Sequence, residues 1–174
     1  MKILVCPLSR VLDMVGRHRP QRVISLLDPE WRFPELGSAY AGRHLRLTLH
    51  DIHAPTNDEI APSPAHAEEL IRFIGECRND ETLLIHCRAG ISRSTATAFI
   101  AACILEPEAR EVDVAKALRQ VSPLARPNLS LVRHADETLG REGRMVDAIV
   151  QTGRGLPWIE VDENEPFIWQ MDNG

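Results

Sequence analysis

Apolar residues in this chain come in runs of strand length, separated by stretches with helical spacing. Ile3-Leu4-Val5-Cys6 and Val23-Ile24-Ser25-Leu26-Leu27 are such runs and predict buried strands over residues 2–6 and 22–27. Leu45-Arg46-Leu47-Thr48-Leu49-His50 alternates with period two, as a half-covered strand does. Thr82-Leu83-Leu84-Ile85-His86 predicts a further strand. Residues 11–19 have helical character and stop at Pro20. Residues 28–43, punctuated by Pro29, Pro34, Gly37 and Gly42, read as a loop, as do residues 51–62. Ser63-Pro64 opens a helix, with serine as cap and proline in the first turn; Ala67, Leu70, Ile71, Ile74 and Cys77 share its apolar face. Residues 94–104 are apolar or small all round, which predicts a helix deep in the core, ended by Pro107. Residues 111–121 read as another helix, and Asn128 caps a last one that runs to Gly140.

Strands alternating with helices predict a single α/β domain, with a central, mostly parallel sheet flanked by helices on both faces. Ligands of such sheets bind beyond the C-terminal ends of the strands. The turn from strand 82–86 into helix 94–104 is such a place, and it reads His86-Cys87-Arg88-Ala89-Gly90-Ile91-Ser92-Arg93-Ser94. Amide N–H groups at the start of a helix have no partner within it and attract an anion. Together with Arg93 they favour the ionised thiolate of Cys87, which is the nucleophilic form. The Arg93 guanidinium is a planar fork that suits two phosphate oxygens. Gly90 can adopt backbone angles that let the amides converge. The Ser94 hydroxyl stands where it can donate to the Cys87 sulfur as that sulfur departs.

His-Cys, five residues, Arg, then Ser or Thr is complete here as HCRAGISRS. It resembles the signature of the cysteine-dependent protein tyrosine phosphatase superfamily, closest to the small dual-specificity branch and its bacterial relatives. A looser match in the order of elements covers roughly residues 45–140. The resemblance implies that Arg88, Ala89, Gly90, Ile91, Ser92 and Arg93 form the phosphate-binding loop between the last core strand and the buried helix. It also implies an aspartate some thirty residues upstream, on a loop after a strand, that protonates the leaving oxygen (~30 residues). Asp51 follows strand 45–50 and precedes Cys87 by 36 residues; Asp58, 29 residues before it, is the rival. Asp51 is preferred because the strand end fixes its direction.

The implied reaction is metal-independent and needs no other cofactor. It hydrolyses phosphotyrosine in proteins, with phosphoserine and phosphothreonine as further substrates, through a phosphocysteine intermediate. Three alternatives stay open: a phosphate-binding module with weak turnover, a phosphatase of phosphoinositides or nucleotides, and a sulfurtransferase. The loop length and its Arg-Ser ending weigh against the sulfurtransferase, and the lack of lysine in the loop weighs against a polyphosphorylated lipid. Arg88 either favours an acidic or lipid-like substrate or is a solvated loop residue. His86 is expected on the sheet face opposite Cys87, tuning the loop through the backbone or satisfied in the core. His50 and His53 flank Asp51 without further ligands, so no metal site is read.

With 174 residues, 44% hydrophobic and 26% charged, the chain can bury one sizeable core. A net charge of −5 argues against nucleic acid or an anionic membrane as partner, and no apolar run is long enough to span a bilayer. The N-terminal run is too short for a secretory signal and reads as the first strand. Cys6, Cys77, Cys87 and Cys103 show neither metal spacing nor a disulfide framework, which suits the cytoplasm. Cys77 and Cys103 fall on apolar helix faces as packing residues. Whether Cys6 protects Cys87 as a disulfide is open, and nothing in the sequence specifies an oligomeric state. Residues 1–150 are expected to form the catalytic domain and residues 151–174 an acidic extension. That stretch holds Glu160, Asp162, Glu163, Glu165 and Asp172 against Arg154 alone. It also holds Trp158, Phe167 and Trp169, which predict packing on the body or on a second copy rather than a solvated tail.

Overall fold

A computed structural model of the protein describes residues 1–54, 56–153 and 161–171. Four strands run parallel: β1 (Lys2–Pro7), β2 (Arg22–Leu27), β3 (His44–Thr48) and β4 (Thr82–Cys87). A fifth, β5 (Phe167–Gln170), adds antiparallel to β1, so the spatial order is β3-β2-β4-β1-β5. The central strand β4 pairs with β1 on one side and β2 on the other. It is buried on both faces, which explains its continuous apolar run.

The helices are α1 (Val11–His18), α2 (Pro64–Gly75), α3 (Arg93–Leu105), α4 (Glu111–Val121), α5 (Leu129–Thr138) and α6 (Arg144–Thr152). As the Ser63-Pro64 pair predicts, the Ser63 hydroxyl accepts from the His66 N–H at the start of α2. The Asn128 side chain likewise accepts from the Leu131 N–H at the start of α5. Helix α5 is not the last one, however. A left-handed Gly143 (φ 86°) opens α6, whose Met145, Ala148 and Ile149 are buried. The intervening Arg-Glu-Gly-Arg stretch hides this helix in the sequence. Its entry is instead fixed by the buried Asp136 carboxylate, which accepts from the Gly143, Met145 and Val146 N–H groups.

Both sheet faces carry helices, unequally. One face holds Leu4, Val23 and Leu84, covered by α1 and by Leu36 and Tyr40 of the loop after β2. The other, with Ile3, Ile24 and Ile85, packs against α2 to α6. Helix α3 lies at the centre of this larger layer, and every residue from Arg93 to Cys103 is buried. Ala96, Ala98, Ala101 and Ala102 keep it thin enough for neighbours on all sides, and Phe99 is the largest fully buried side chain. Among the described residues, no helix is long and apolar enough to cross a membrane.

The segment after α6 returns to the body. Trp169 and Met171 are buried in the main core and Phe167 packs against it. Trp158 lies outside the described residues.

The α3 layer supports both the core and the loop that precedes it. Phe99→Ala is therefore expected to cost about 3–5 kcal/mol of unfolding free energy in a urea titration.

Candidate active site

Strand β4 ends at Cys87 and α3 begins at Arg93, so residues 88–92 must turn the chain within one short loop. Gly90 has φ +73°, where a side chain is strained. A Cβ there would also lie 2.9 Å from the Pro7 nitrogen and 3.1 Å from the Cys6 carbonyl carbon, both backbone atoms that cannot step aside. The loop thus rests directly on the end of β1.

The loop carbonyls point outward. The Leu8 N–H donates to Arg88 O (3.2 Å), the Asn164 N–H to Ala89 O (2.8 Å) and the Asn164 side-chain amide to Gly90 O (3.2 Å). The Arg126 N–H donates to Ile91 O (2.8 Å) and the Asn128 N–H to Ser92 O (3.4 Å). In a trans peptide the C=O and the next N–H point in opposite directions, so outward carbonyls turn amides toward the loop centre. The Ser92 side chain makes no capping hydrogen bond at the N-terminus of α3, whose first N–H groups face the same region.

Cys87 is at the floor. Its Sγ accepts from the Gly90 N–H at 3.3 Å and lies 3.1 Å from Ser94 Oγ. Arg93 is only 3% exposed, and Asp28 holds it with both oxygens, at 2.9 Å and 3.1 Å. Its Nη1 also donates to Leu49 O at 2.6 Å. Its Nε is buried without a hydrogen-bond partner among the described residues. A buried guanidinium N–H left unpaired is costly, and it marks a place for an anion.

Above the loop lies a cleft of about 570 Å³ that takes in Asp28, Asp51, Cys87, Arg93, Leu124 and Asp162. Asp51 Oδ1 accepts from Ser92 Oγ (2.7 Å) and from the Asn128 amide (2.9 Å), so the carboxyl is oriented over the loop. Asp58 does not line the cleft. It lies in the exposed arc that His50 and Ile60 close off, with the His50 N–H on Ile60 O and the Ile60 N–H on His50 Nδ1, both at 2.8 Å. His53 also lines the cleft. Arg88 lines it too, but its guanidinium stacks 4.6 Å from the Trp31 ring centre and pairs with Glu163 at 3.2 Å. Among the described residues, no three His, Cys, Asp or Glu side chains are grouped to share a metal ion.

His86 faces away from Cys87, as alternation along a strand requires. Its Nε2 meets the Ser25 hydroxyl Oγ at 2.5 Å, and the same Oγ meets His44 Nε2 at 2.7 Å. Arg46 Nε donates to His44 Nδ1 (3.3 Å), so His44 Nε2–H donates to Ser25 and Ser25 donates to His86. Burial lowers both imidazoles to about 4. Arg46 adds to the effect at His44, and the Cys87 backbone opposes it at His86 without overcoming it. Cys6 aligns with His86 in register and belongs to the α1-side core, whereas Cys87 belongs to the other. The two thiols therefore face opposite sides of the sheet, an arrangement unsuited to a disulfide. Burial pushes Cys6 and Cys103 up to about 12 and Cys77 to about 11, which keeps all three as thiols at neutral pH.

The structure brings Cys87, Arg93, Ser94 and Asp51 together, and adds three residues that sequence reasoning missed. Asp28 had a signal in its place at the C-terminal end of a parallel strand. Asn128 was read only as a helix cap, and it serves the Asp51 loop with its other end. Asn164, far along the chain, had none.

A family model for a polymorphic toxin system, DSP-PTPase phosphatase, matches residues 23–109, which is half of the chain. Dual specificity protein phosphatase 15 from Mus musculus is 30% identical over 127 residues, covering 72% of this chain and 48% of its own length. The chain thus spans about half the length of this relative. The crystal structure of DUSP15 superposes with a TM-score of 0.58 at 25% identity, covering 88% of this chain and 94% of that one. A human tyrosine phosphatase-like serine/threonine/tyrosine-interacting protein shares the fold, with a TM-score of 0.62 at 18% identity, over 80% and 92% of the two chains.

The two histidines make stability depend on pH with a definite sign. Both are depressed from 6.5 in the folded state, so the unfolded chain takes up protons first as pH falls. Their contribution is complete above about pH 6.5 and is lost as pH falls through about 4. Thermal melts across this range are expected to show a falling midpoint. His44→Gln, which keeps an amide donor for Ser25, should fall less steeply.

Proposed function

The chain belongs to the cysteine-dependent protein tyrosine phosphatase superfamily, among the small dual-specificity phosphatases, and from that premise we propose that it hydrolyses phosphotyrosine in proteins, and phosphoserine and phosphothreonine as well, through a phosphocysteine intermediate. The observation that carries this reading is the juxtaposition of Cys87 Sγ, receiving the Gly90 N–H, with the buried, unpaired Nε of Arg93. One is a nucleophile and the other an oxygen receptor at the same cleft.

In the first step Cys87 sulfur attacks phosphorus, an S–P bond forms and the P–O bond to the substrate breaks. Arg93 and the inward N–H groups of residues 88–92 hold the three equatorial oxygens, where charge is spread in the transition state. Asp28 and Leu49 O fix the Arg93 fork, so its orientation is set before substrate arrives. Asp51 gives its proton to the departing oxygen, which leaves as a phenol or alcohol. In the second step the Asp51 carboxylate takes a proton from water, the water oxygen bonds to phosphorus and the S–P bond breaks. Ser94 donates to the departing sulfur, 3.1 Å away. The cleft, at about 570 Å³, has room for a phosphorylated phenol ring. Each charge in this scheme is met by a residue of the chain.

The test is phosphate release from a phosphotyrosine peptide with chelator and reductant present. Cys87→Ser should lose at least ~10³-fold in kcat. Asp51→Asn should lose about 10²- to 10³-fold on the peptide, and less than about tenfold on an aryl phosphate whose leaving group needs no proton. The same pattern from Asp58→Asn would transfer the acid role to that residue. A folded wild type that binds the peptide without releasing phosphate would make the chain a binding module.

A further inference from the structure

We infer that the C-terminal segment, through Asn164, is a working part of the phosphate-binding loop: Asn164 is a positioning residue that turns two loop amides toward Cys87 and the bound oxygens. This rests on the phosphatase reading for its consequence in turnover, but not for its geometry.

A trans peptide plane ties each carbonyl to the amide that follows it. The chain has no cis peptide bond among the described residues, so each loop C=O opposes the N–H that follows it. The Asn164 backbone N–H holds Ala89 O at 2.8 Å. The other end of that peptide unit is the Gly90 N–H, which points to Cys87 Sγ at 3.3 Å. The Asn164 side-chain amide holds Gly90 O at 3.2 Å, and the other end of that unit is the Ile91 N–H. One residue thereby sets two successive peptide planes. They flank Gly90, the loop residue with positive φ, whose torsional freedom most needs an external restraint.

The hold is itself supported. Asn164 is 9% exposed, and its amide also donates to Ser122 Oγ at 2.9 Å, which fixes its rotamer. Its neighbour Glu163 accepts from Ser9 Oγ (2.5 Å) and pairs with Arg88 at 3.2 Å, gripping the loop beside it. Behind them, β5 pairs with β1, and the Met171 N–H donates to Met1 O at 2.9 Å. The loop rests on the end of that same strand β1, so clamp and loop share one support. Ser122, Glu163, Asn164 and β5 all lie beyond residue 109, where the family-model match ends.

The experiment compares the full-length wild type with Asn164→Leu and Ser122→Ala. Leucine keeps the volume of Asn164 and its backbone N–H on Ala89 O, but removes the side-chain donor to Gly90 O. Ser122→Ala frees the Asn164 side chain without touching the loop. Three readouts are taken: the alkylation rate of Cys87 by iodoacetamide at about pH 6, followed by mass spectrometry of its peptide; the Kd for inorganic phosphate; and kcat/KM on an aryl phosphate. Asn164→Leu is expected to slow alkylation and weaken phosphate binding by about tenfold each, and Ser122→Ala by about threefold, with kcat/KM falling in the same order. A residue that merely stabilises the fold would shift the melting temperature and leave the alkylation rate of the folded protein unchanged. Folded variants that match the wild type in alkylation and phosphate affinity overturn the inference. If Asn164→Leu does not fold, Ser122→Ala alone decides by the same criteria. A wild type that binds phosphate but does not hydrolyse the ester removes the phosphatase reading, and the clamp is then judged on alkylation and phosphate affinity.

Discussion

Backbone amides converge on one point only if their carbonyls are held elsewhere, and this requirement organises the protein around residues 88–92. The carbonyls are taken by Leu8 after β1, by Asn164 before β5, and by Arg126 and Asn128 at the entry to α5. Parts of the chain from its beginning, middle and end are recruited to orient five peptide units. Gly90 shows the tightness of the arrangement, since even a methyl group would meet the backbone of β1.

The same economy governs the charges. Arg93 is buried at the start of a helix, where a cation lies against the positive end of the dipole. The Asp28 carboxylate and Leu49 O make that burial tolerable and also set the plane of the fork. Its Nε has no hydrogen-bond partner among the described residues. On the opposite sheet face, polar groups are kept neutral instead. His86 and His44 share the Ser25 hydroxyl and are held well below their usual range by burial. Burial keeps the three remaining cysteines, Cys6, Cys77 and Cys103, protonated.

The parallel sheet, the buried α3 and the loop at its N-terminus were legible because each depends on local pattern: apolar runs, helical spacing and an uninterrupted HCRAGISRS. Gly90 and Ser94 were legible from the loop motif itself, and the place of Asp51 over the loop because the end of its strand fixes its direction. What was not legible depends on pairing across distance. Asp28 looks like a turn residue before Pro29 until β2 is set beside β4. The α6 helix has a clear apolar face, but its entry relies on the remote Asp136 carboxylate rather than on a local cap. Asn164 sits in an acidic stretch that reads as an extension. The antiparallel pairing of β5 with β1, together with Ser122 and Arg88, brings it to the loop. The aromatics Phe167 and Trp169 signalled that this stretch packs, but not where.

The central claim is that phosphorus is transferred to Cys87 sulfur before it reaches water. The measurement that tests it most directly is rapid acid quenching during turnover of a phosphotyrosine peptide, followed by mass spectrometry of the tryptic fragments. The account predicts a single phosphoryl adduct on the Cys87 peptide, one that appears before free phosphate accumulates and is enriched in Asp51→Asn with an aryl phosphate. Turnover without any adduct on Cys87, or an adduct on another residue, would contradict it.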